Sequence, residues 1–252
     1  MHPRVFFALI RLRRKLPPAC DYPVVAENTE FVLEGFWRSA NTFAAMALDS
    51  VQPRRLRLAA HTHAAATVIR GVQLGKPVLV LIRNPADAVI SRRLLHPQIP
   101  LKDSLRDYLR FYRTILPYRA GFVTALFQEV TTDFGSVIRR VNARFGTSFV
   151  PFEHTRAAAE NIRHIADQAL PAAFHLPADE RADLNARLLA ELGCEPLLRE
   201  VERLYQEFVA TCQGDLTTLR RIDPNCQPGP PSGERLFTQN NLLTPSAHRA
   251  GG

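Results

Sequence analysis

The amino-acid sequence predicts an α/β fold of three layers, in which helices cover both faces of a mostly parallel central sheet. Between residues 30 and 146, short apolar runs alternate with longer segments of helical periodicity, and this alternation is typical of a parallel sheet. The run VLVLI at residues 78–82 is apolar on both faces, as expected for a central strand. A chain of 252 residues is long enough for one domain with a sizeable core.

The chain divides into one predicted domain and a tail. We expect a single domain over residues 1–221 and a disordered tail over residues 222–252, because the tail is rich in Pro, Gly and Asn without periodicity. Residues 1–18 are basic around a short apolar block, which indicates a surface helix; an interfacial membrane anchor is the alternative. No apolar run approaches the roughly 20 residues of a membrane span, and we expect a cytoplasmic protein.

The charge balance favours anionic ligands. The chain carries 32 Lys and Arg residues against 24 Asp and Glu, a formal net charge of +8. This excess suits a phosphorylated nucleotide, and it also suits nucleic acid or an anionic membrane. Nucleic acid is not an expected partner, because no aromatic-interleaved basic patch or known nucleic-acid motif is found. The four cysteines have no CxxC or zinc spacing, which indicates free thiols in a reducing compartment.

Residues 31–43, FVLEGFWRSANTF, predict a buried strand, a short loop and the beginning of a helix. The first three residues have high strand propensity, and the segment TFAAMAL that ends the motif consists largely of helix formers. Cationic, hydroxyl and amide groups before a helix N-terminus can bind an anion, because the N–H groups and the helix dipole favour negative charge there. Arg38 adds a planar fork of donors. An ordinary strand–helix turn with a solvated Arg38 is the alternative.

Two further strands are predicted before position 83. A short strand with apolar residues between positions 56 and 60 ends at the triplet His-Thr-His, residues 61–63, and a short helix follows it. The strand at residues 78–82 comes next. Asn84 and Pro85 follow it directly, and these residue types are typical of the N-cap and first position of a helix.

The second half of the predicted domain is mostly helical. Amphipathic periodicity predicts a helix over residues 101–116, and the apolar run FVTALF predicts a strand at residues 122–127. A helix capped by Thr131 or Thr132 and ended by Gly146 follows. Irregular helices are predicted within residues 151–192, and a last helix over residues 196–212.

Three clusters of polar side chains follow strands of the predicted sheet. They are the loop around Arg38, the triplet at residues 61–63, and the segment from Arg83 to Ser91. In an open parallel sheet, ligands bind outside the carboxyl ends of the strands. We therefore expect these clusters to converge on one ligand site.

Two of these clusters resemble motifs of the sulfotransferases, the family that uses 3′-phosphoadenosine 5′-phosphosulfate (PAPS). The segment GFWRSANTF resembles the family's first phosphosulfate-binding loop, with Ala40 and Asn41 in place of a usual Gly and Thr. The segment VLVLIRNPADAVISR resembles the element that binds the 3′-phosphate through an Arg and a later Ser. A further strand and an amphipathic helix ending in Phe-Gly extend the resemblance to about residues 30–146.

The resemblance implies an enzyme of P-loop-like architecture that moves a sulfuryl group from PAPS to a hydroxyl or amine, with no metal ion. Arg38 would stabilise the transferring group, and Phe43 would pack on the adenine. The acceptor, a small molecule or a glycan, is not identified by the sequence. The implied cofactor-binding residues are Arg38, Ser39, Ala40, Asn41, Thr42 and Phe43 in the first loop, and Arg83 and Ser91 in the second segment.

The family's catalytic histidine falls at the triplet. Matching Thr-His selects His63, whereas counting back from Arg83 selects His61. A neutral imidazole is a natural base for the proton of an alcohol. A buried structural histidine and an HxH metal pair are the alternatives, and the metal pair lacks further ligands with motif spacing.

The sequence also departs from the family pattern. Ala40 stands where a Gly would allow a positive φ or a close approach of phosphate. The family's C-terminal Arg-Lys-Gly element has no clear match, and Arg220 with Arg221 is a weak substitute. Glu129 lies at the end of the strand where the family has a Tyr-Glu-Asp-like sequence, and we expect it to cap the fold.

Two other functions fit parts of the sequence. A P-loop-type small-molecule kinase would need a Walker lysine, and Glu34 or Asp87 would have to bind magnesium. A non-catalytic relative that binds anions or nucleic acid would need only the basic excess.

Overall fold

The computed structural model describes residues 24–167 and 177–222. Within these ranges, four parallel strands form one sheet in the order β2-β1-β3-β4. The strands are β1 (Phe31–Gly35), β2 (Leu58–Ala60), β3 (Val78–Ile82) and β4 (Val123–Leu126). The predicted α/β class and parallel sheet are therefore confirmed.

Helices cover both faces of this sheet. In chain order they are α1 (Asn41–Val51), α2 (Ala65–Gln73), α3 (Pro85–Leu95), α4 (Leu101–Ile115), α5 (Phe127–Thr132), α6 (Phe134–Phe145), α7 (Arg156–Asp167), α8 (Ala178–Gly193) and α9 (Leu198–Ile222). Helices α2, α3, α4, α8 and α9 share one hydrophobic core with one face of the sheet. Helices α1, α6 and α7 share a second core with the other face. This is the expected three-layer arrangement.

The central strand β3 shows why the sheet needs both layers. Its five residues are all buried. Val78, Val80 and Ile82 contribute to one core, and Leu79 and Leu81 contribute to the other. Successive side chains of a strand point to opposite faces, so an uninterrupted apolar run is stable only when both faces are covered.

The structure corrects the expected boundaries around β4. The strand ends at Leu126 and not at residue 127, because Phe127 begins the short helix α5. The Glu129 side chain accepts a hydrogen bond from the Leu126 N–H at 2.8 Å, which confirms its expected capping role. The next helix is capped by Asp133, whose Oδ1 accepts from the Ser136 N–H at 3.1 Å. The expectation that Thr131 or Thr132 caps that helix is therefore wrong.

The last helix is longer than expected, since α9 reaches from Leu198 to Ile222. Helices α7 and α8 occupy much of the region expected to be irregularly helical. The predicted N-terminal surface helix and almost the whole predicted tail lie outside the described residues. No helix among those described is long and apolar enough to cross a membrane.

The strand order creates one switch point in the sheet. The chain leaves β1 through α1 for β2 on one side, and it leaves β3 for β4 on the other side. The loops that follow β1 and β3 therefore diverge above two neighbouring strands. Such a crevice at the carboxyl ends of the strands is the usual ligand site of open parallel sheets.

Tyr112 of α4 joins the two strands below this crevice. Its buried hydroxyl donates to the Leu81 carbonyl at 2.7 Å and accepts from the Phe36 N–H at 3.2 Å. Burial raises the pKa of the Tyr112 hydroxyl, so it stays a donor. Gly35 allows the close approach, because a Cβ at that position would lie 2.5 Å from the Leu81 carbonyl oxygen.

We predict that Tyr112→Phe lowers the free energy of unfolding by about 1–3 kcal/mol, because the buried Phe36 N–H loses its acceptor. Urea denaturation followed by circular dichroism measures this change. Tyr118→Phe is the control: this side chain is only half-buried, and its change should stay within about 0.5 kcal/mol. Equal effects of the two substitutions would contradict the role of the Tyr112 hydroxyl.

Candidate functional site at the switch point

The loop between β1 and α1 is folded tightly on itself. Arg38 and Ala40 adopt left-handed conformations, with φ of 66° and 70°. The Asn41 Nδ2 donates to the Phe36 carbonyl at 3.0 Å, and the Ser39 N–H donates to the same oxygen at 3.3 Å. The helix N-cap is Ala40, which has no side chain that could accept from the N–H groups of the first turn. Those N–H groups are suited to an external anion.

The structure brings Arg38, Arg83 and Ser91 into direct contact. The Arg83 Nη1 donates to the Arg38 carbonyl at 3.1 Å. The Arg38 Nε donates to the Ser91 Oγ at 3.0 Å. The two segments that the sequence singled out therefore meet across the switch point, with two guanidinium groups on the same edge of the sheet.

Arg83 is held in a pocket that desolvates its charge. Its side chain is 21% exposed, and its Cζ lies 4.2 Å from the centroid of the Phe127 ring. Its Nε is buried and has no hydrogen-bond acceptor among the described residues, although Asp87 Oδ2 lies 4.0 Å away. Burial lowers the pKa of Arg83, and Asp87 opposes this effect. An additional anion beside this guanidinium would offset its lost hydration.

The remaining residues of the first loop divide into buried and exposed groups. Ser39 is completely buried, and Asn41 is 4% exposed with its amide turned into the loop. The Thr42 hydroxyl is exposed at the helix N-terminus. Phe43 is 6% exposed and packs against Phe152 in the core. Little of the Phe43 ring is therefore exposed to solvent, and its contact with the adenine stays a prediction.

The two histidines of the triplet lie at the end of β2, beside the first loop. His61 Nε2 lies 3.2 Å from the Thr42 Oγ1. Burial, and then the neighbouring His63, lower the pKa of His61 to about 4. His61 is therefore neutral at physiological pH and is paired with a residue of the first loop.

His63 has the geometry of a base with a fixed tautomer. Its Nδ1 lies 2.9 Å from the Gly35 carbonyl, which can only accept, so Nδ1 carries the proton. Nε2 then holds the lone pair. Burial lowers the pKa of His63, the Gly35 hydrogen bond opposes this, and the charge of Arg92 lowers it further. The His63 ring stacks on Trp37 with centroids 4.2 Å apart.

His63 also lines an aromatic cavity of about 300 Å³. The cavity lies between the first loop, α2 and α4, with His63 in its wall. Its lining residues are Phe36, Trp37, His63, Ala64, Ala65, Ala66, Ile69, Asp107, Arg110, Phe111 and Thr114. Its size is at the lower end of the range of small-molecule sites. A second and more open depression of about 940 Å³ lies along α9 beside Asn84 and contains Arg199 and Arg203.

The carboxylates that a kinase would need are otherwise engaged. Glu34 is fully buried and accepts hydrogen bonds from Thr62 and His63. Asp87 is exposed and faces Arg83. Among residues 24–167 and 177–222, no group of three or more His, Cys, Asp or Glu side chains is arranged to hold a metal ion.

Sequence reasoning missed three contributors to this site. Phe127 under Arg83, Trp37 against His63 and Gly35 between the strands all act through tertiary contacts. Only Gly35 carried a local signal, as a glycine at the end of an apolar run. The side chains of Arg220 and Arg221 lie outside the part of the structure that describes side chains.

The fold and this sheet edge define a parallel α/β protein in which Arg38 and Arg83 meet across the switch point. No protein-family model matches the chain, and no curated protein sequence matches it. Among solved structures, a mouse sulfotransferase in complex with PAP is similar, with a TM-score of 0.38 and 12% sequence identity. That match covers 56% of this chain and 63% of the mouse chain, less than two thirds of its length.

The left-handed conformation of Ala40 leads to a stability prediction. A non-glycine residue in this conformation costs about 1–2 kcal/mol, and glycine recovers part of that despite its greater freedom in the unfolded chain. Ala40→Gly should therefore raise the free energy of unfolding by up to about 1 kcal/mol, measured by urea denaturation.

The control for Ala40→Gly is the same substitution four residues later. Ala44 lies in the right-handed interior of α1, where Ala44→Gly should lower the free energy of unfolding by about 1 kcal/mol or more. If both substitutions destabilise the protein to the same extent, Ala40 is not left-handed in solution.

Proposed function

We propose that this protein is a sulfotransferase that moves a sulfuryl group from PAPS to a hydroxyl or amine of a small-molecule or glycan acceptor. The observation that carries the proposal is the contact of Arg38 with both Arg83 and Ser91 across the switch point. This contact supports the proposal because it joins the two segments that resemble the family's phosphosulfate and 3′-phosphate elements. A cytoplasmic location is part of the same proposal.

The nucleotide would be held at both of its charged ends. Arg83 would donate to the 3′-phosphate, which would supply the anion that its buried Nε lacks among the described residues. The Ser91 Oγ accepts from Arg38, so its own O–H remains to donate to the same phosphate. The 5′-phosphosulfate would lie over the first turn of α1, against the N–H groups after Ala40 and the exposed Thr42 hydroxyl.

The transfer step would use Arg38 and His63. The His63 Nε2 would take the proton of the acceptor hydroxyl as its oxygen bonds to sulfur. The bond between sulfur and the bridging oxygen of PAPS would break, leaving adenosine 3′,5′-bisphosphate. The Arg38 guanidinium would stabilise the charge that develops on that oxygen. The acceptor would enter through the aromatic cavity that His63 lines.

Binding of adenosine 3′,5′-bisphosphate tests the nucleotide site. Arg83→Ala should weaken binding about 10- to 100-fold in isothermal titration calorimetry, because a hydrogen bond to a charged group is worth about 1.5–3 kcal/mol. Binding of 5′-AMP, which lacks the 3′-phosphate, should change little in the same variant.

Arg106→Ala is the matched control, because it removes one positive charge from an exposed position on α4. It should leave the affinity for the bisphosphate within about twofold, since surface charges are screened. A wild-type protein that does not distinguish adenosine 3′,5′-bisphosphate from 5′-AMP would overturn the nucleotide assignment.

Transfer of labelled sulfate from PAPS to a mixture of phenols, alcohols, amines and oligosaccharides tests catalysis. His63→Gln should lower kcat by about 10²- to 10⁴-fold, as expected for loss of a general base, with unchanged affinity for the bisphosphate. His61→Gln should lower kcat less than about tenfold. A larger loss in His61→Gln would assign the base to His61.

A further inference from the structure

The buried carboxylate of Glu34 lies directly beneath the histidine triplet. Glu34 is completely buried in β1. Its Oε1 accepts from the Thr62 N–H at 2.8 Å and from the Thr62 hydroxyl at 2.6 Å. Its Oε2 accepts from the His63 N–H at 3.0 Å. One carboxylate on β1 therefore holds two successive backbone amides of the loop that follows β2.

Neighbouring residues of β1 fix His63 at two points. Glu34 holds its backbone N–H, and the Gly35 carbonyl holds its ring Nδ1–H at 2.9 Å. Together these bonds set both the position of the residue and the direction of its ring. The free lone pair of Nε2 is a consequence of this arrangement, because the proton is kept on Nδ1.

The loop that Glu34 holds is conformationally strained. His61 and His63 have φ of 59° and 48°, a left-handed conformation that residues with a Cβ rarely adopt. Strained backbone of this kind persists only where the surroundings impose it. The bonds from the carboxylate to the amides of Thr62 and His63 supply that constraint, and a hydrogen bond between the Thr62 and Thr67 hydroxyls at 2.5 Å extends it to α2.

We propose that Glu34 is a positioning residue for His63, whose ionised carboxylate fixes the imidazole as a base without touching the substrate. This proposal rests on the proposed function for its catalytic consequence. The positioning itself is a property of the folded chain and can be measured without any substrate.

The protonation state of Glu34 matters to this role. The backbone N–H groups of Thr62 and His63 can only donate to the carboxylate, so its ionised form is the better acceptor for both. Burial raises the pKa of Glu34 to about 7, although the bonds from Thr62 and His63 oppose the shift. The ionised form, and with it the fixed loop, is therefore favoured above about pH 7 and lost below it.

The other titratable groups near Glu34 and His63 have pKa values that differ from that of Glu34. The pKa of His61 is about 4, and the pKa of His63 is lowered from its ordinary value of 6.5. The positive charge of Arg92 on α3 faces His63. Tyr112 on α4 has a raised pKa. A transition of the His63 environment close to pH 7 that is absent in Glu34→Gln would therefore belong to Glu34.

Nitrogen-15 NMR of the histidine rings in the wild-type protein is the first test. We expect His63, assigned with His63→Gln, to show protonated Nδ1 and unprotonated Nε2 at pH 8. Between pH 8 and 6.5 the nitrogen shifts of the His63 ring should move toward values averaged over the two tautomers, with a midpoint at about pH 7. A His63 ring that is unchanged over this range would overturn the proposal, whether or not the protein transfers sulfate.

Glu34→Gln is the second test. The glutamine side chain presents an NH₂ group to donors, so it cannot accept all three bonds. We expect kcat for sulfate transfer to fall at least tenfold, with the affinity for adenosine 3′,5′-bisphosphate within twofold of wild type and the His63 ring averaged between tautomers at pH 8. Glu27→Gln is the matched control: it makes the same substitution at an exposed carboxylate before β1 and should change kcat less than twofold.

The outcomes separate this proposal from the proposed function. In Glu34→Gln, the nucleotide affinity could fall in parallel with kcat while the tautomer of the His63 ring stays unchanged. That result would mean a general structural role for Glu34 and would overturn the proposal. Absence of transfer from PAPS by the wild type, with the expected NMR transition, would overturn the proposed function and leave the positioning of His63 established.

Discussion

The hydrogen bond from the Arg83 guanidinium to the Arg38 carbonyl is the contact on which the site depends. It joins the loop after β1 to the end of β3, two elements that are far apart in sequence and adjacent only because the sheet has the order β2-β1-β3-β4. Arg38 then reaches Ser91 on α3 through its own side chain. Without the switch point between β1 and β3, Arg38 and Arg83 would not meet at one edge of the sheet.

The site combines buried charge with strained backbone. The non-glycine residues with positive φ among those described are Arg38, Ala40, His61 and His63. All lie in the two loops that follow β1 and β2. Such conformations are unfavourable by themselves and are held by hydrogen bonds from buried groups, such as Asn41 to the Phe36 carbonyl. Fixed backbone of this kind keeps donors in place before a ligand arrives, which is the condition for electrostatic preorganisation.

The sequence predicted those parts of the molecule that local signals determine. The apolar run of β3 and the Asn84 cap of α3 follow from strand burial and helix-capping rules, and the structure contains both. The core position of Phe43 and the contact of Phe127 with Arg83 depend on which elements pack together. No local sequence pattern predicts them. Glu34 reads as an ordinary residue within a strand, and only the neighbouring loop gives its carboxylate partners.

Hydrogen exchange with and without adenosine 3′,5′-bisphosphate, followed by mass spectrometry, tests the central claim most directly. If one nucleotide occupies the crevice between β1 and β3, the amides of residues 38–43 and those of residues 84–92 should both gain protection at the same ligand concentration. With 5′-AMP, protection should be confined to residues 38–43. Protection of one segment alone by the bisphosphate, or of neither, would contradict a shared site.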